Sequence, residues 1–373
     1  MSDASPRRIA FVSDSMPERN GVGAYYTDLV EQLDPVRFQI RFLCPGRTRS
    51  LLRMPLPGDR TQALVLPPPM RIARELRDFA PDVIVAATPG PWGLLGVRWA
   101  RRLGARLIVG FHTDYAGVTD LYGRSIFKRL SRGYFRRVDR LMFERADHVL
   151  GNSMAMIEQA ERMGARKASR IGTLVPRKMI ETPPAPPPMR LLRILFAGRL
   201  APEKRIDTVL EAAGKLPGLE FGIAGDGPLR SEIEQAAARL PNLHYLGWQD
   251  RDALCDELDR SDALVLPSTF ESFGTVALEA MARGRLALVT STCGIVNWSQ
   301  LQEGLVVFEL DRPLAEVLAE VRDWPVERLH AQTRAARTAA VELNRASLAQ
   351  WAALLDPSDA PPDSPPDDEA AAP

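Results

Sequence analysis

Cysteine is scarce in this chain: three residues in 373, at positions 44, 255 and 293, with neither CxxC nor CxxH spacing. That argues against a disulfide framework or a cysteine-built zinc site, and free thiols in a reducing compartment are expected. No apolar run approaches the ~18 residues that a membrane-spanning helix needs. The opening MSDASPRRIAF lacks the apolar core of a secretion signal, so a cytoplasmic location is expected. Charge of one sign is missing too. Lys and Arg total 48 against 47 Asp and Glu, a formal net charge of +1, which leaves no global field to recruit nucleic acid. The glycine fingerprint of dinucleotide-binding folds is also broken. In RNGVGAYYTDL (Arg19–Leu29), Tyr25 and Tyr26 stand where the third glycine belongs. A nicotinamide oxidoreductase is disfavoured on that ground.

What is present is alternation. Short apolar runs at Ile9–Ser13, Phe38–Leu43, Val83–Ala86, Leu107–Gly110 and His148–Leu150 read as strands. Amphipathic stretches at Gly23–Leu33, Pro91–Leu103 and Met154–Met163 read as helices. Alternating βα units predict a parallel sheet covered on both faces. Leu56 to Pro69 reads as loop. The cluster TPPAPPPM (Thr182–Met189) forms neither helix nor central strand. It marks a linker over 182–190, between a first domain at 1–181 and a second at 191–340. The pattern then restarts with strand Leu191–Ala197, helix Ile206–Lys215, strand Glu220–Ala224, helix Leu229–Leu240 and strand His244–Leu246. The expected fold class is α/β, with two Rossmann-like parallel-sheet domains. The tail at 357–373, rich in Pro, Asp and Ala, is expected to be disordered.

Asp262 to Thr290 is the most informative stretch. Strand Ala263–Leu266 runs into Pro267-Ser268-Thr269, then FESFG, a helix from about Thr275 to Gly284, and strand Leu286–Val289. Strand end and helix start meet at Glu271–Gly274. Open α/β sheets bind ligands at such places, because unpaired N–H groups and the positive helix end face the crevice. Glu271 lies in the turn, and Glu279 lies ~7 Å along the helix axis at ~1.5 Å per residue. An elongated ligand can meet a carboxylate at each end and helix N–H groups between. A nucleoside diphosphate sugar has that order of parts. The plainer readings are a solvated helix face for Glu279 and a dipole-favoured loop charge for Glu271.

FESFGTVALEAMARG resembles the E-x7-E signature of retaining glycosyltransferases of family 4, which have the GT-B fold. Glu271, Phe273-Gly274, Glu279 and Ala280-x-x-x-Gly284 stand at the family's spacing, and the likeness runs from Arg8 to about Leu355. It implies an active site in the cleft between domains, with donor contacts from Phe273, Gly274, Thr275 and Glu279. It also implies a last helix (341–356, including Ala346–Leu355) that crosses back onto the first domain.

Other strings resemble further elements of that family. FAGRLAPEKRID (Phe196–Asp207) is similar to its G-R-L-x-x-x-K element, implying that Arg199 and Lys204 hold the two phosphates and neutralise the leaving group. Read alone, they are equally a surface pair with Glu203. IAGDGPLR (Ile223–Arg230) and YLGW (Tyr245–Trp248) resemble its nucleobase-facing loops, implying donor contacts at Gly225, Gly227 and Trp248. RNGVGAYYTDL resembles its glycine loop, implying phosphate contacts at Gly21 and Gly23, with a tight turn as the alternative. FHTDY (Phe111–Tyr115) resembles its His-Thr element, whose histidine contacts the transferred sugar near the 6-hydroxyl. That implies the same role for His112, a structural histidine being the alternative, and places Asp114 and Asp14 toward the acceptor. One string departs from the family. Gly172–Glu181 reads GTLVPRKMIE where an Asn-Gly-Val-Asp-like turn is common, so no role carries over there.

The reaction so implied moves a hexose from GDP-mannose or a UDP-hexose to a hydroxyl, with retention. Attack would come from the front face, with Glu271 on sugar hydroxyls and with Arg199, Lys204 and the helix end stabilising the departing diphosphate. GT-B enzymes generally need no divalent ion, so neither metal nor cofactor is expected. Between Arg124 and Arg140 lie seven basic residues (Arg124, Lys128, Arg129, Arg132, Arg136, Arg137, Arg140) against one acid, Asp139. Ile126, Phe127, Leu130, Tyr134, Val138 and Leu141 recur near helical spacing beside them. Such a helix lies on anionic lipid, or is a solvated surface helix. Several enzymes of the family glycosylate lipids at the cytoplasmic leaflet, so a peripheral lipid glycosyltransferase is expected. The alternatives are the same chemistry on a soluble sugar or small molecule, and a non-catalytic membrane-surface protein.

Overall fold

Each half of the chain winds its apolar runs into one six-stranded parallel sheet. The structure, a computed structural model, describes residues 5–16, 21–48, 50, 52–56, 59–112 and 126–356, and only the backbone within 53–56, 59–64 and 126–132. The first sheet is built from β1 (Arg7–Val12), β2 (Phe38–Leu43), β5 (Val83–Ala86), β6 (Arg106–Phe111), β7 (His148–Gly151) and β8 (Ala168–Arg170), in the order β2-β1-β5-β6-β7-β8. The second holds β9 (Arg193–Ala197), β10 (Glu220–Ala224), β11 (Leu243–Gly247), β12 (Ala263–Leu266), β13 (Leu286–Thr290) and β14 (Leu305–Phe308), in the order β11-β10-β9-β12-β13-β14. Strands β5, β12 and β13 are buried along their whole length, as parallel strands covered on both faces must be. The expected doubly wound α/β pair is what forms. The stretch read as loop instead contains β4 (Asp59–Leu66), antiparallel to β3 (Leu52–Leu56), followed by the helix Pro69–Phe79. That helix opens with Pro at its first turn, where a missing N–H costs nothing.

The order of the second sheet reverses direction between β9 and β12. A crevice opens at such a switch point, because loops leaving neighbouring strands turn to opposite faces. Here the loops after β9 and β12 are tied together by Thr269 N–H donating to the Glu203 carbonyl at 2.9 Å.

Two crossings join the domains, and the first differs from expectation. Leu174 lies in the core of the first domain and Val175 and Met179 lie in that of the second, so the chain changes domain at 174/175, before the prolines. The Pro-rich segment is pinned to the second domain. The buried Arg283 guanidinium donates to the carbonyls of Met179, Thr182 and Pro183, and Arg285 to those of Ala185 and Pro186. Five prolines between 183 and 188 offer carbonyls but no N–H groups, which suits an arginine fork. The second crossing is one unbroken helix, Val326–Leu355, running through the boundary set at 340/341. Its first half packs on the second domain, while Trp351 and Leu355 are fully buried in the first. Asn344 sits where the crossings meet, accepting from Val175 N–H at 2.9 Å and donating to Gln32 at 2.9 Å. The tail at 357–373 lies outside the described residues. Among the described residues no helix is long and apolar enough to cross a membrane.

Candidate active site

The cleft begins with three loops at the carboxyl ends of β9, β10 and β11. They stack through Gly198 N–H to the Ala224 carbonyl (3.0 Å), Gly225 N–H to the Gly247 carbonyl (2.7 Å) and Leu200 N–H to the Asp226 carbonyl (3.0 Å). A side chain at Gly225 would put Cβ 1.9 Å from the Gly198 carbonyl oxygen, and one at Gly227 would come within 2.4 Å of that of Leu200. These glycines were expected to admit a ligand. What they admit first is the neighbouring loop, which shapes the wall of a cavity of about 510 Å³. Arg199, Gly225, Trp248, Gln249, Leu254 and Val276 line it. Trp248 is 57% exposed, a flat apolar face of the kind on which a ring stacks.

The opposite wall is the start of the helix Thr275–Ala282. Its N-cap is Gly274 at φ 100°, and no side chain caps this end, so the first-turn N–H groups and the positive dipole end stay available to an anion. The turn before it is braced from behind. Gly294 N–H donates to the Glu271 carbonyl and Ile295 N–H to that of Phe273, while the Phe273 ring meets Trp298 edge-on at 5.9 Å. Phe273 is therefore core, 3% exposed, and its expected donor contact is limited to backbone.

The charged residues converge here. Lys204 Nζ is ion-paired with the Glu271 carboxylate, both side chains less than one-fifth exposed. Arg199 lines the cavity with its guanidinium 3.8 Å from Glu203. Glu279 lies on the inward face of the helix, and burial pushes its carboxyl up to about 7 against the opposing field of Arg251. Arg251 itself reaches across the cleft to the first domain, where it meets the buried Asp28 in a two-pronged ion pair. No spacing in the sequence signals this pair, because its halves lie 223 residues apart.

The first-domain wall rests on packing. His112 ends at the carboxyl edge of β6 with Nε2 2.8 Å from the Tyr26 hydroxyl, and its ring stacks 4.8 Å from Tyr25. Burial lowers its pKa to about 4, so the ring is neutral. Tyr25 accepts from Trp351 Nε1 at 2.6 Å, which ties the histidine's support to the C-terminal helix. Gly21 opens the helix Gly21–Gln32 at the surface, and Gly23 is buried within its first turn. Asp14, expected toward the acceptor, is engaged within the first domain. Its carboxylate accepts from the Thr88 hydroxyl and from the N–H groups of Gly90, Trp92 and Gly93, capping the helix Pro91–Leu103. Three of these donors fall on Oδ2 and one on Oδ1, so the carboxylate is held in place by the helix start it caps. Asp114 and Arg124 lie outside the described residues, as do the side chains of Lys128, Arg129 and Arg132.

The basic segment is helical over Ile126–Phe143. Arg136, Tyr134 and Leu141 are exposed, but Val138 packs into the first-domain core, so the apolar stripe does not all face outward. Asp250 caps its own helix by accepting from Ala253 N–H at 2.8 Å, and Asp252 meets Lys178 at 2.8 Å on the surface.

Comparison with known proteins agrees with this geometry. The description "Glycosyltransferase Family 4" matches residues 19–176, and "Glycosyl transferases group 1" matches 183–336. The GDP-mannose-dependent alpha-mannosyltransferase of Mycobacterium tuberculosis is 29% identical over 306 residues, covering 74% of this chain and 77% of that protein. The sulfoquinovosyl transferase of Arabidopsis thaliana is 26% identical over 238 residues, 60% of this chain and 45% of that one. Among solved structures, sucrose-phosphate synthase from Thermosynechococcus elongatus superposes with a TM-score of 0.69 at 16% identity, covering 93% of this chain and 98% of that one. Anabaena HepE in complex with UDP and glucose gives 0.64 at 16% identity, covering 92% and 99%. Two matched stretches that together take in most of the sequence, on paired parallel sheets facing one cleft, place this chain in glycosyltransferase family 4 with the GT-B fold.

Proposed function

We propose that this glycosyltransferase moves a hexose from a nucleoside diphosphate sugar to a hydroxyl of a membrane lipid, with retention and without a divalent ion. One observation carries the reading: Lys204 and Glu271 are paired at the switch-point crevice, beside Arg199 and an uncapped helix start. An arriving diphosphate offers Lys204 a second anion, so the lysine bridges phosphate and Glu271. Arg199 and the helix N–H groups take the remaining phosphate oxygens. This arrangement stabilises charge that grows as the glycosidic bond breaks, which is where electrostatic catalysis acts. Held by Lys204, Glu271 serves as an acceptor for sugar hydroxyls rather than as a nucleophile. His112 then meets the sugar from the other domain, and Glu279 the ribose. The departing phosphate oxygen takes the acceptor's proton on the same face.

The relative named for GDP-mannose and the structural neighbours named with UDP make those two nucleotides the first donors to test. Thermal shift with GDP-mannose, UDP-glucose and the free nucleotides identifies the donor, since a ligand at 100 times its Kd adds about 2.7 kcal/mol. A flat response to the whole panel would sink the donor assignment. Retention is read from the anomeric signal of the product, and an inverted linkage removes the front-face mechanism. Turnover that disappears with EDTA and returns with Mg²⁺ overturns the metal-free reading.

The exposed Arg136 and Tyr134 on the basic helix support a lipid surface. Co-sedimentation with phosphatidylglycerol vesicles tests it. A protein left in the supernatant at low salt points to a soluble acceptor.

A further inference from the structure

Behind His112 lies a set of buried hydroxyl and ring contacts that the reaction as described does not use. Tyr26 is wholly buried, and its hydroxyl has one partner among the described residues, His112 Nε2 at 2.8 Å. Room for that hydroxyl is made by Gly110, near the carboxyl end of β6. A Cβ there would lie 2.2 Å from the Tyr26 oxygen, so any side chain at 110 expels it. Tyr25, next in the same helix, has both its roles filled: it donates to the Gly172 carbonyl at 3.3 Å and accepts from Trp351 at 2.6 Å. Among the described residues no hydrogen bond joins it to the Tyr26 hydroxyl.

The proton count then leaves one arrangement. Burial holds Tyr26 well above its ordinary pKa, so the oxygen keeps its hydrogen. A buried O–H without an acceptor costs roughly 1–3 kcal/mol. Were Nε2 to carry the ring proton, the Tyr26 hydrogen would have no acceptor among the described residues. We infer that Tyr26 donates to Nε2 and thereby locks His112 as the Nδ1–H tautomer, making Tyr26 a positioning residue that decides which ring nitrogen of His112 offers a proton to the sugar. The nitrogen opposite a fixed partner takes the other role, as in any hydrogen-bonded imidazole. Tyr25 and Trp351 add orientation. The Tyr25 ring lies 4.8 Å from the imidazole, and Trp351 holds Tyr25 from the C-terminal helix. That same helix packs on Thr275–Ala282 at its other end, so one rod touches the supports of both walls of the cleft.

This inference rests on the proposed contact between His112 and the transferred sugar, and the experiment separates the two. Nitrogen-15 NMR of imidazole-labelled full-length protein, without ligand, reads the tautomer directly and needs no donor. The expected result is a neutral His112 with protonated Nδ1 and an acceptor-type Nε2. A protonated Nε2 overturns the inference.

In Tyr26→Phe, which keeps the ring and removes one oxygen, the Nδ1–H population should fall. The kcat should drop by about tenfold or more, with nucleotide affinity within twofold of the parent. An unchanged tautomer in a folded Tyr26→Phe protein also overturns it. His112→Ala with undiminished turnover would instead remove the sugar contact and leave the tautomer assignment standing.

Discussion

The two walls of the cleft are built on different principles. The second-domain wall is charge set on loops: Lys204 with Glu271, Arg199 beside Glu203, and a helix start without a cap. The first-domain wall is packing: His112, Tyr25, Tyr26 and Trp351 form one buried aromatic group drawn from a strand, a helix and the last turns of the chain. A wall of charges can exchange partners when a diphosphate enters, because an ion pair at a partly exposed site is worth little by itself. A wall of rings cannot rearrange without opening a void. The second-domain wall is thus made to respond, and the first-domain wall to hold still.

That contrast can be broken from either direction. The largest effect is expected from Lys204→Ala, which under the proposed mechanism removes a cation from the growing phosphate charge. Turnover should fall by ~10²–10³, about 2.7–4 kcal/mol, as for other groups that stabilise transition-state charge. Steady-state kinetics with the identified donor measures it, and a loss under threefold would contradict the role. On the packed wall, Trp351→Ala empties a fully buried site and should cost roughly 3–5 kcal/mol of stability, read by urea denaturation. A cost near zero would mean that the C-terminal helix does not hold the first domain together. Asp28→Asn lies between the walls. It leaves Arg251 partly buried without its cross-cleft partner. About 1–3 kcal/mol is expected, below the usual figure for a buried pair because Arg251 is one-third exposed. Small-angle scattering should show a wider cleft, and an unchanged profile would exclude Asp28–Arg251 as a latch.

The smallest effects are pH trends of opposite sign. Glu279 holds its proton to about 7 in the folded chain, whereas unfolded it releases it near 4.5. The unfolded state therefore binds fewer protons in that window, and stability falls as pH rises from 4.5 to 7, by roughly 3 kcal/mol at most. His112 is depressed by burial to about 4, and His148 also to about 4 by burial and then by Arg106 and Lys167. Unfolded, both take up a proton near 6.5, so their contribution is lost as pH falls from 6.5 to 4. Denaturation curves of Glu279→Gln should therefore show stability rising steadily from pH 4 to 6.5, while the parent is flatter. Parallel curves would remove Glu279 as a buried titrating group.

Much of the charged wall was legible, and for a physical reason. Glu271 and Glu279 share one turn and helix, and Arg199 and Lys204 share one motif that resembles the family's, whereas the pairing of Lys204 with Glu271 across 67 residues came only from the fold. Strands such as Phe38–Leu43, Glu220–Ala224 and Ala263–Leu266 were equally plain, because a doubly covered strand must be apolar throughout. Asp14 misled. A lone carboxylate after a strand looks the same whether it awaits a substrate or caps a helix begun 77 residues later at Pro91.

The sequence by itself determined the two parallel sheets, which follow from periodicity, and the family, which follows from the likeness of its motifs. Tertiary structure alone decided which side chains share a partner. Asp28 found Arg251, Tyr26 found His112 and Trp351 found Tyr25 across 223, 86 and 326 residues. Contacts at that distance leave no periodic trace, because they are set by how folded elements pack and domains dock and not by the run of the chain.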